Sequence, residues 1–108
     1  MSELSEADKL YDAADQLRAA GKVEEAVAKY QEVLKSDPKY ALAHSALAVV
    51  CTDLGRHEEA VRHALQVCEL EPNDTFSYTA LSVTCMRAGK IQEAEDAMAR
   101  ARVLQQHR

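Results

Sequence analysis

Gly21-Lys22-Val23-Glu24-Glu25-Ala26, Gly55-Arg56-His57-Glu58-Glu59-Ala60 and Gly89-Lys90-Ile91-Gln92-Glu93-Ala94 are one motif written three times at an interval of 34 residues. Displacing the chain by the same interval lays Pro38 on Pro72, Ala46 on Ala80, Leu47 on Leu81, Val49 on Val83 and Cys51 on Cys85. A fixed period of this size marks stacked copies of one small unit, none able to bury its apolar face alone. Each copy of the motif spans a helix end and a helix start. The glycine supplies the positive φ that commonly follows a helix end. The glutamates after it open the next helix, where negative charge complements the dipole and the free amides.

Working outward, each unit reads as two helices. First helices are expected near 6–20, 40–54 and 74–88, and second helices near 23–36, 57–70 and 91–106. Ser5 and Asp8 resemble a capping box, and Asp74 is a cap candidate for the fifth helix. Pro38 and Pro72 cannot continue a preceding helix and suit the first turn of the next. Connections of two or three residues force each helix pair antiparallel. Ala14, Ala48 and Ser82 on first helices and Ala26, Ala60 and Ala94 on second helices let axes approach to about 8–10 Å. Around them Leu10, Leu17, Val23, Tyr30, Val33 and Leu34 recur at helical spacing and form the expected core.

Composition agrees with that reading. Hydrophobic residues are 47% and charged residues 29%, with only three glycines and two prolines and none of the aromatic and β-branched enrichment that strands need. The 108 residues suffice for one domain, expected to span 1–108 with repeats at about 7–40, 41–74 and 75–108. A formal charge of −5 without a basic cluster argues against nucleic acid. No apolar run approaches a membrane span. The start Met1-Ser2-Glu3-Leu4-Ser5-Glu6 is acidic and has no apolar stretch, so no signal peptide is expected. With three cysteines, an odd count, the expectation is reduced, buried thiols in the cytoplasm.

The period, the Gly-x-x-x-Glu-Ala string and the proline closing each unit resemble the tetratricopeptide repeat (TPR), over residues 7–108. Departures are modest: Leu10, His44 and Tyr78 stand where the family usually has a large aromatic. Ala13 stands where the other units have Leu47 and Leu81, and Gln106 replaces the closing proline. The resemblance implies an all-α, right-handed solenoid of three helix-turn-helix hairpins whose first helices line a concave groove for a partner peptide or helix. Matching the groove positions residue by residue gives Asp8, Tyr11, Asp15 and Arg18, then Leu42, Ser45, Val49 and Thr52, then Phe76, Thr79, Val83 and Met86, with Arg87 at the edge. Leu42, Val49, Phe76, Val83 and Met86 form an expected apolar strip. Members that grip an acidic C-terminal carboxylate of chaperones do so with a Lys/Asn/Asn/Lys/Arg set. The matching residues here are Tyr11, Asp15, Ala46, Phe76 and Ala80, which cannot replace it. Many members also end in an extra capping helix. The chain ends at Arg108 as the third hairpin closes, so Ile91, Ala94, Met98, Ala101 and Leu104 are expected as an uncovered stripe, a candidate surface for self-association.

Other chemistries find no support in the sequence. His44, His57, His63 and His107 include no pair at the three- or four-residue spacing of helical metal ligands, and there is no Cys-x-x-Cys, so neither metal nor cofactor is expected. Cys51 and Cys85 lie a helix-packing distance apart, too far for a disulfide, and Cys68 reads as a small core residue. The pairs Glu24/Glu25 and Glu58/Glu59 diverge by about 100° around their helices and make no focused acid–base pair. The expectation is therefore a non-enzymatic scaffold or adaptor that binds a protein or peptide. The competing expectations are a homo-oligomer stacked through its last helix and, more remotely, a regulatory piece of a larger enzyme.

Overall fold

The structure, a computed structural model, describes residues 4–107; residues 1–3, part of the acidic start, and Arg108, the chain end, lie outside the described residues. Six helices follow one another: α1 (Glu6–Ala19), α2 (Val23–Ser36), α3 (Ala41–Asp53), α4 (His57–Leu70), α5 (Thr75–Arg87) and α6 (Ile91–Gln106). They form three antiparallel hairpins, α1/α2, α3/α4 and α5/α6, stacked into an all-α solenoid measuring 38 × 36 × 20 Å. No helix among the described residues is long and apolar enough to cross a membrane.

Local chemistry sets the helix ends. Asp8 N–H donates to Ser5 Oγ at 3.0 Å and Ser5 N–H donates to Asp8 Oδ2 at 3.1 Å, the reciprocal capping box expected at the start of α1. The Asp74 carboxylate caps α5, accepting from Phe76 N–H at 3.2 Å and from the Ser77 hydroxyl at 2.7 Å. Within each hairpin the chain turns at Gly21, Gly55 or Gly89, with φ of 81°, 78° and 77°. Lys22, Arg56 and Lys90 then donate back to Leu17, Cys51 and Cys85 at 2.8–2.9 Å, closing the helix C-terminus in a Schellman arrangement.

The prolines behave differently from the sequence expectation. Pro38 and Pro72 are not in the first turn of α3 and α5. They occupy the second position of four-residue turns closed by Tyr40 N–H to Asp37 O and Asp74 N–H to Glu71 O, both 3.1 Å. The cause is the clash that a proline ring imposes on the residue before it. Asp37 (φ −143°, ψ 95°) and Glu71 (φ −131°, ψ 67°) are pushed out of the helical region, so α2 and α4 stop there and a turn must intervene.

The core runs along the stack. Tyr30, Val33, Leu47, Val50, Cys51 and Cys85 are the largest fully buried side chains. The small residues sit where close packing needs them: Ala14, Ala26, Ala48, Ala60, Ser82 and Ala94 are all buried. Ser82 satisfies its hydroxyl by donating to Ala94 O at 2.8 Å. Cys51, Cys68 and Cys85 are buried and unpaired. Ion pairs link adjacent hairpins at equivalent places, Arg56 to Glu24 at 2.6 Å and Lys90 to Glu58 at 3.4 Å. The first glutamate of each opening pair thus faces the next repeat's cation, a partnership that helix-dipole reasoning alone did not reveal. Both pairs are exposed and add little stability.

Candidate docking groove

Helices α3 and α5 carry almost no charge along their length; Asp53 and Arg87, each the last residue of its helix, are the exceptions beside the buried His44. Residues seven apart on a helix return to nearly the same face after two turns. Leu42 and Val49 therefore lie along one face of α3, and Phe76 and Val83 along the matching face of α5. They are 58%, 49%, 78% and 55% exposed, although the core has taken their neighbours Leu47 and Leu81. Between the two helices lies a cleft of about 540 Å³, walled by Leu42, Val49, Phe76 and Val83 and floored by Ala64 and Val67 of α4. Ser45 and Ala80 also line it, and Glu71 and Asp74 bound its end at the α4–α5 turn. At the other end Thr52 and Arg87 border a smaller cavity of about 190 Å³. Thr52 and Thr79 donate their hydroxyl protons to Ala48 O and Thr75 O, one turn back, so they offer a ligand acceptors rather than donors.

The remaining sequence candidates divide. Met86 is exposed but does not line this cleft. It borders a depression on the outer face of the last hairpin, beside Met98, Ala99 and Arg102. Asp8, Tyr11 and Asp15 on α1 are engaged by Tyr30 of α2 and by Tyr40 at the start of α3. The Tyr11 ring packs between those of Tyr30 and Tyr40, with centroids 5.7 and 5.4 Å away. The Tyr30 hydroxyl donates to Asp15, and the Tyr40 hydroxyl donates to Asp8 Oδ1 at 2.6 Å. Both phenols are pushed up to about 12, Tyr30 by burial and its bond to Asp15, Tyr40 by its bond to Asp8 and then burial. Arg18 stays exposed at the far end of α1.

The stripe expected on the last helix is not a single uncovered face. Ala94 and Ala101 are buried and Met98 and Leu104 half-buried, leaving Ile91 as the exposed member. Positions 94, 97 and 101 share the face that packs inside the α5/α6 hairpin. The expected stripe straddled that face and its flank because its three- and four-residue steps pass through Met98 rather than Ala97.

Sequence spacing also missed a pair that the fold assembles across 19 residues. His44 Nδ1 and His63 Nδ1 are 3.0 Å apart, and His44 Nε2 lies 2.9 Å from Pro38 O. A carbonyl only accepts, so His44 Nε2 carries a proton, and between the two Nδ1 atoms one ring donates and the other accepts. Burial, followed by the neighbouring ring, pulls the His63 pKa below its ordinary value. Burial likewise raises the thiols, Cys68 to about 11, which keeps them protonated and poor nucleophiles.

The model of the tetratricopeptide repeat family matches residues 11–75. This chain belongs to the tetratricopeptide repeat family. The solved structure of MamA superposes on 94% of this TPR chain with a TM-score of 0.84 at 18% identity. A further MamA structure, from AMB-1, covers 96% with a TM-score of 0.81 at 20% identity. The chain spans 59% and 62% of those two MamA chains. The second TPR of Spaghetti (RPAP3), solved bound to the HSP90 peptide SRMEEVD, matches with a TM-score of 0.81 at 21% identity over 93% of each chain. At these identities the likeness is one of fold, and it reaches past the family-model match into the third hairpin. No curated protein matches the sequence. The architecture is that of a protein–protein interaction module.

Proposed function

We propose that this TPR chain is a scaffold or adaptor that holds a peptide or helix of a partner protein in the cleft between α3 and α5. One observation carries the reading: Leu42, Val49, Phe76 and Val83 converge on a single cleft while remaining largely outside the core. Large apolar side chains that the fold does not bury, gathered on one face, are the signature of a surface completed by a partner. The cleft's walls and floor offer apolar area, with few polar groups to fix orientation, as peptide-binding grooves do.

The groove is not of the type that clamps a terminal carboxylate. Tyr11 is enclosed by two other tyrosines, Asp15 already accepts a hydrogen bond, Ala46 is buried, and Phe76 and Ala80 present only carbon. The peptide SRMEEVD, bound by the Spaghetti TPR, is expected to show no specific binding here. The chain's site of action is the cytoplasm, where its three unpaired thiols stay reduced.

Retention of interacting proteins by the immobilised chain tests the reading, with Val49→Asp/Phe76→Asp beside the parent and Leu65→Asp, on the outer surface, as control. Val49→Asp/Phe76→Asp should keep its helical circular dichroism and lose the specific partner, while Leu65→Asp keeps it. Equal retention by the groove variant and the parent would rule the cleft out.

A further inference from the structure

The cleft is electrically lopsided. At one end Asp53 and Arg87 face each other at 4.0 Å and cancel. Along the walls there is no ionised side chain. At the other end stand Glu71 and Asp74, and no lysine or arginine lines the cleft to balance them. Glu71 is exposed; its backbone N–H donates to Val67 O at 2.9 Å to close α4 and its carbonyl accepts from Asp74 N–H at 3.1 Å. The hydrogen bonds that Asp74 accepts from Ser77 and Phe76 hold its carboxyl below the usual range, so it is ionised at neutral pH. The Glu71 side chain lies within hydrogen-bonding reach of Asp74 and also lowers its carboxyl pKa, and neither has a cationic partner among the described residues. Lys39, in the preceding turn, does not line the cleft.

We propose that the cleft selects a partner segment that combines apolar side chains with a lysine or arginine at the end lying against the α4–α5 turn, and that it discriminates against acidic segments. The inference rests on the groove reading above and adds the partner's chemistry and direction. From Leu42 to Val49 the wall rises about 10 Å, which matches two turns of helix or about three extended residues. A cation just beyond that apolar stretch meets two adjacent acidic side chains with no lysine or arginine beside them in the cleft lining. An anion in the same place meets both with the wrong sign and has no compensating cation nearby. Because the neutral far end neither attracts nor repels, the charge also sets which way the segment lies.

Two capped synthetic peptides that share one run of leucines, one ending in lysines and one in glutamates, provide the probe. Binding is read by fluorescence anisotropy at low salt. The lysine peptide is expected to bind about tenfold more tightly, with the gap narrowing as salt is added. Glu71→Lys, which leaves the backbone cap in place, should shrink or invert the preference. Val49→Asp/Phe76→Asp should abolish binding of both. If both peptides bind equally, or the glutamate peptide binds better, and Val49→Asp/Phe76→Asp still abolishes binding, the charge inference falls and the groove reading stands. If binding survives that variant, or neither peptide binds at millimolar concentration, the groove reading falls with it.

Discussion

Leu47 and Val49 stand two residues apart on α3, and shortening each to alanine should have opposite consequences. Leu47 is 0% exposed and among the largest fully buried side chains, whereas Val49 is 49% exposed on the cleft wall. Leu47→Ala removes three buried carbons at about 0.8 kcal/mol each, and a cavity term brings the loss to about 3 kcal/mol. Val49→Ala removes two carbons that are only half-covered, about 0.8 kcal/mol of transfer. Alanine returns about 0.6 kcal/mol of helix propensity in its place. The net change at position 49 is therefore close to zero. A fold of this size has about 5–15 kcal/mol in total, so the first variant should be plainly weakened and the second indistinguishable from the parent. Urea unfolding followed by helical circular dichroism measures both, provided the slopes agree. A loss at Val49 comparable to that at Leu47 would show that Val49 is part of the packed stack, and the argument that it is held outside for a partner would collapse.

Three further perturbations probe the parts around the cleft. Gly55→Ala places a Cβ at φ 78° where nothing lies within 4 Å, so its cost is backbone strain alone, about 1 kcal/mol, and Gly55→Asn should cost less; a lowered urea midpoint for alanine and a smaller shift for asparagine check this. The phenols of Tyr30 and Tyr40 are raised from 10 to about 12, so the stability they contribute is fully present below about pH 10 and is lost as the pH rises through about 12. Tyr40→Phe should lessen the alkaline fall in melting temperature, and an unchanged profile would mean that the Asp8 bond does not persist in solution. His63, lowered from 6.5 by burial, contributes stability that is present above about pH 6.5 and is lost as the pH falls through its depressed folded value. The double variant His44→Phe/His63→Leu should flatten that acid limb of the melting profile.

Much of the fold was legible because each decisive signal is local and repeated. Gly21, Gly55 and Gly89 end three helices by one backbone geometry, and the Ser5–Asp8 box and the Asp74 cap act within three residues of themselves. The misjudged features depend on relations that no local window contains. Pro38 and Pro72 were misplaced by one turn because the strain they impose falls on the residue before them. The His44–His63 contact joins helices whose relative rotation is set by packing of the whole hairpin. On α6, steps of three and four residues can be drawn through Met98 as easily as through Ala97, and only burial shows that Ala94, Ala97 and Ala101 form the face inside the hairpin.

The groove was legible in part for the same reason, and the part that was not changes how it works. Periodicity treats the three repeats as equivalent, so it offers α1, α3 and α5 as equal contributors to a continuous concave face. The side chains break that equivalence. On α1 the matched positions are Asp8, Tyr11, Asp15 and Arg18; Tyr11 packs between the Tyr30 and Tyr40 rings, and Asp15 and Asp8 accept from their hydroxyls. Those aspartates stand beside the tyrosine cluster and do not line the apolar cleft. On α3 and α5 the same positions hold Leu42, Val49, Phe76 and Val83, which have no polar atom to satisfy and so remain available. The apolar contact is thereby confined to the second and third repeats, and the first repeat acts as a rigid shoulder beside it. It follows that Tyr11→Phe should leave peptide affinity nearly unchanged while Phe76→Ala weakens it at least severalfold, because only the second removes surface from the cleft. A larger loss at Tyr11 than at Phe76, measured by the same anisotropy titration, would place the contact on α1 and overturn this division of labour.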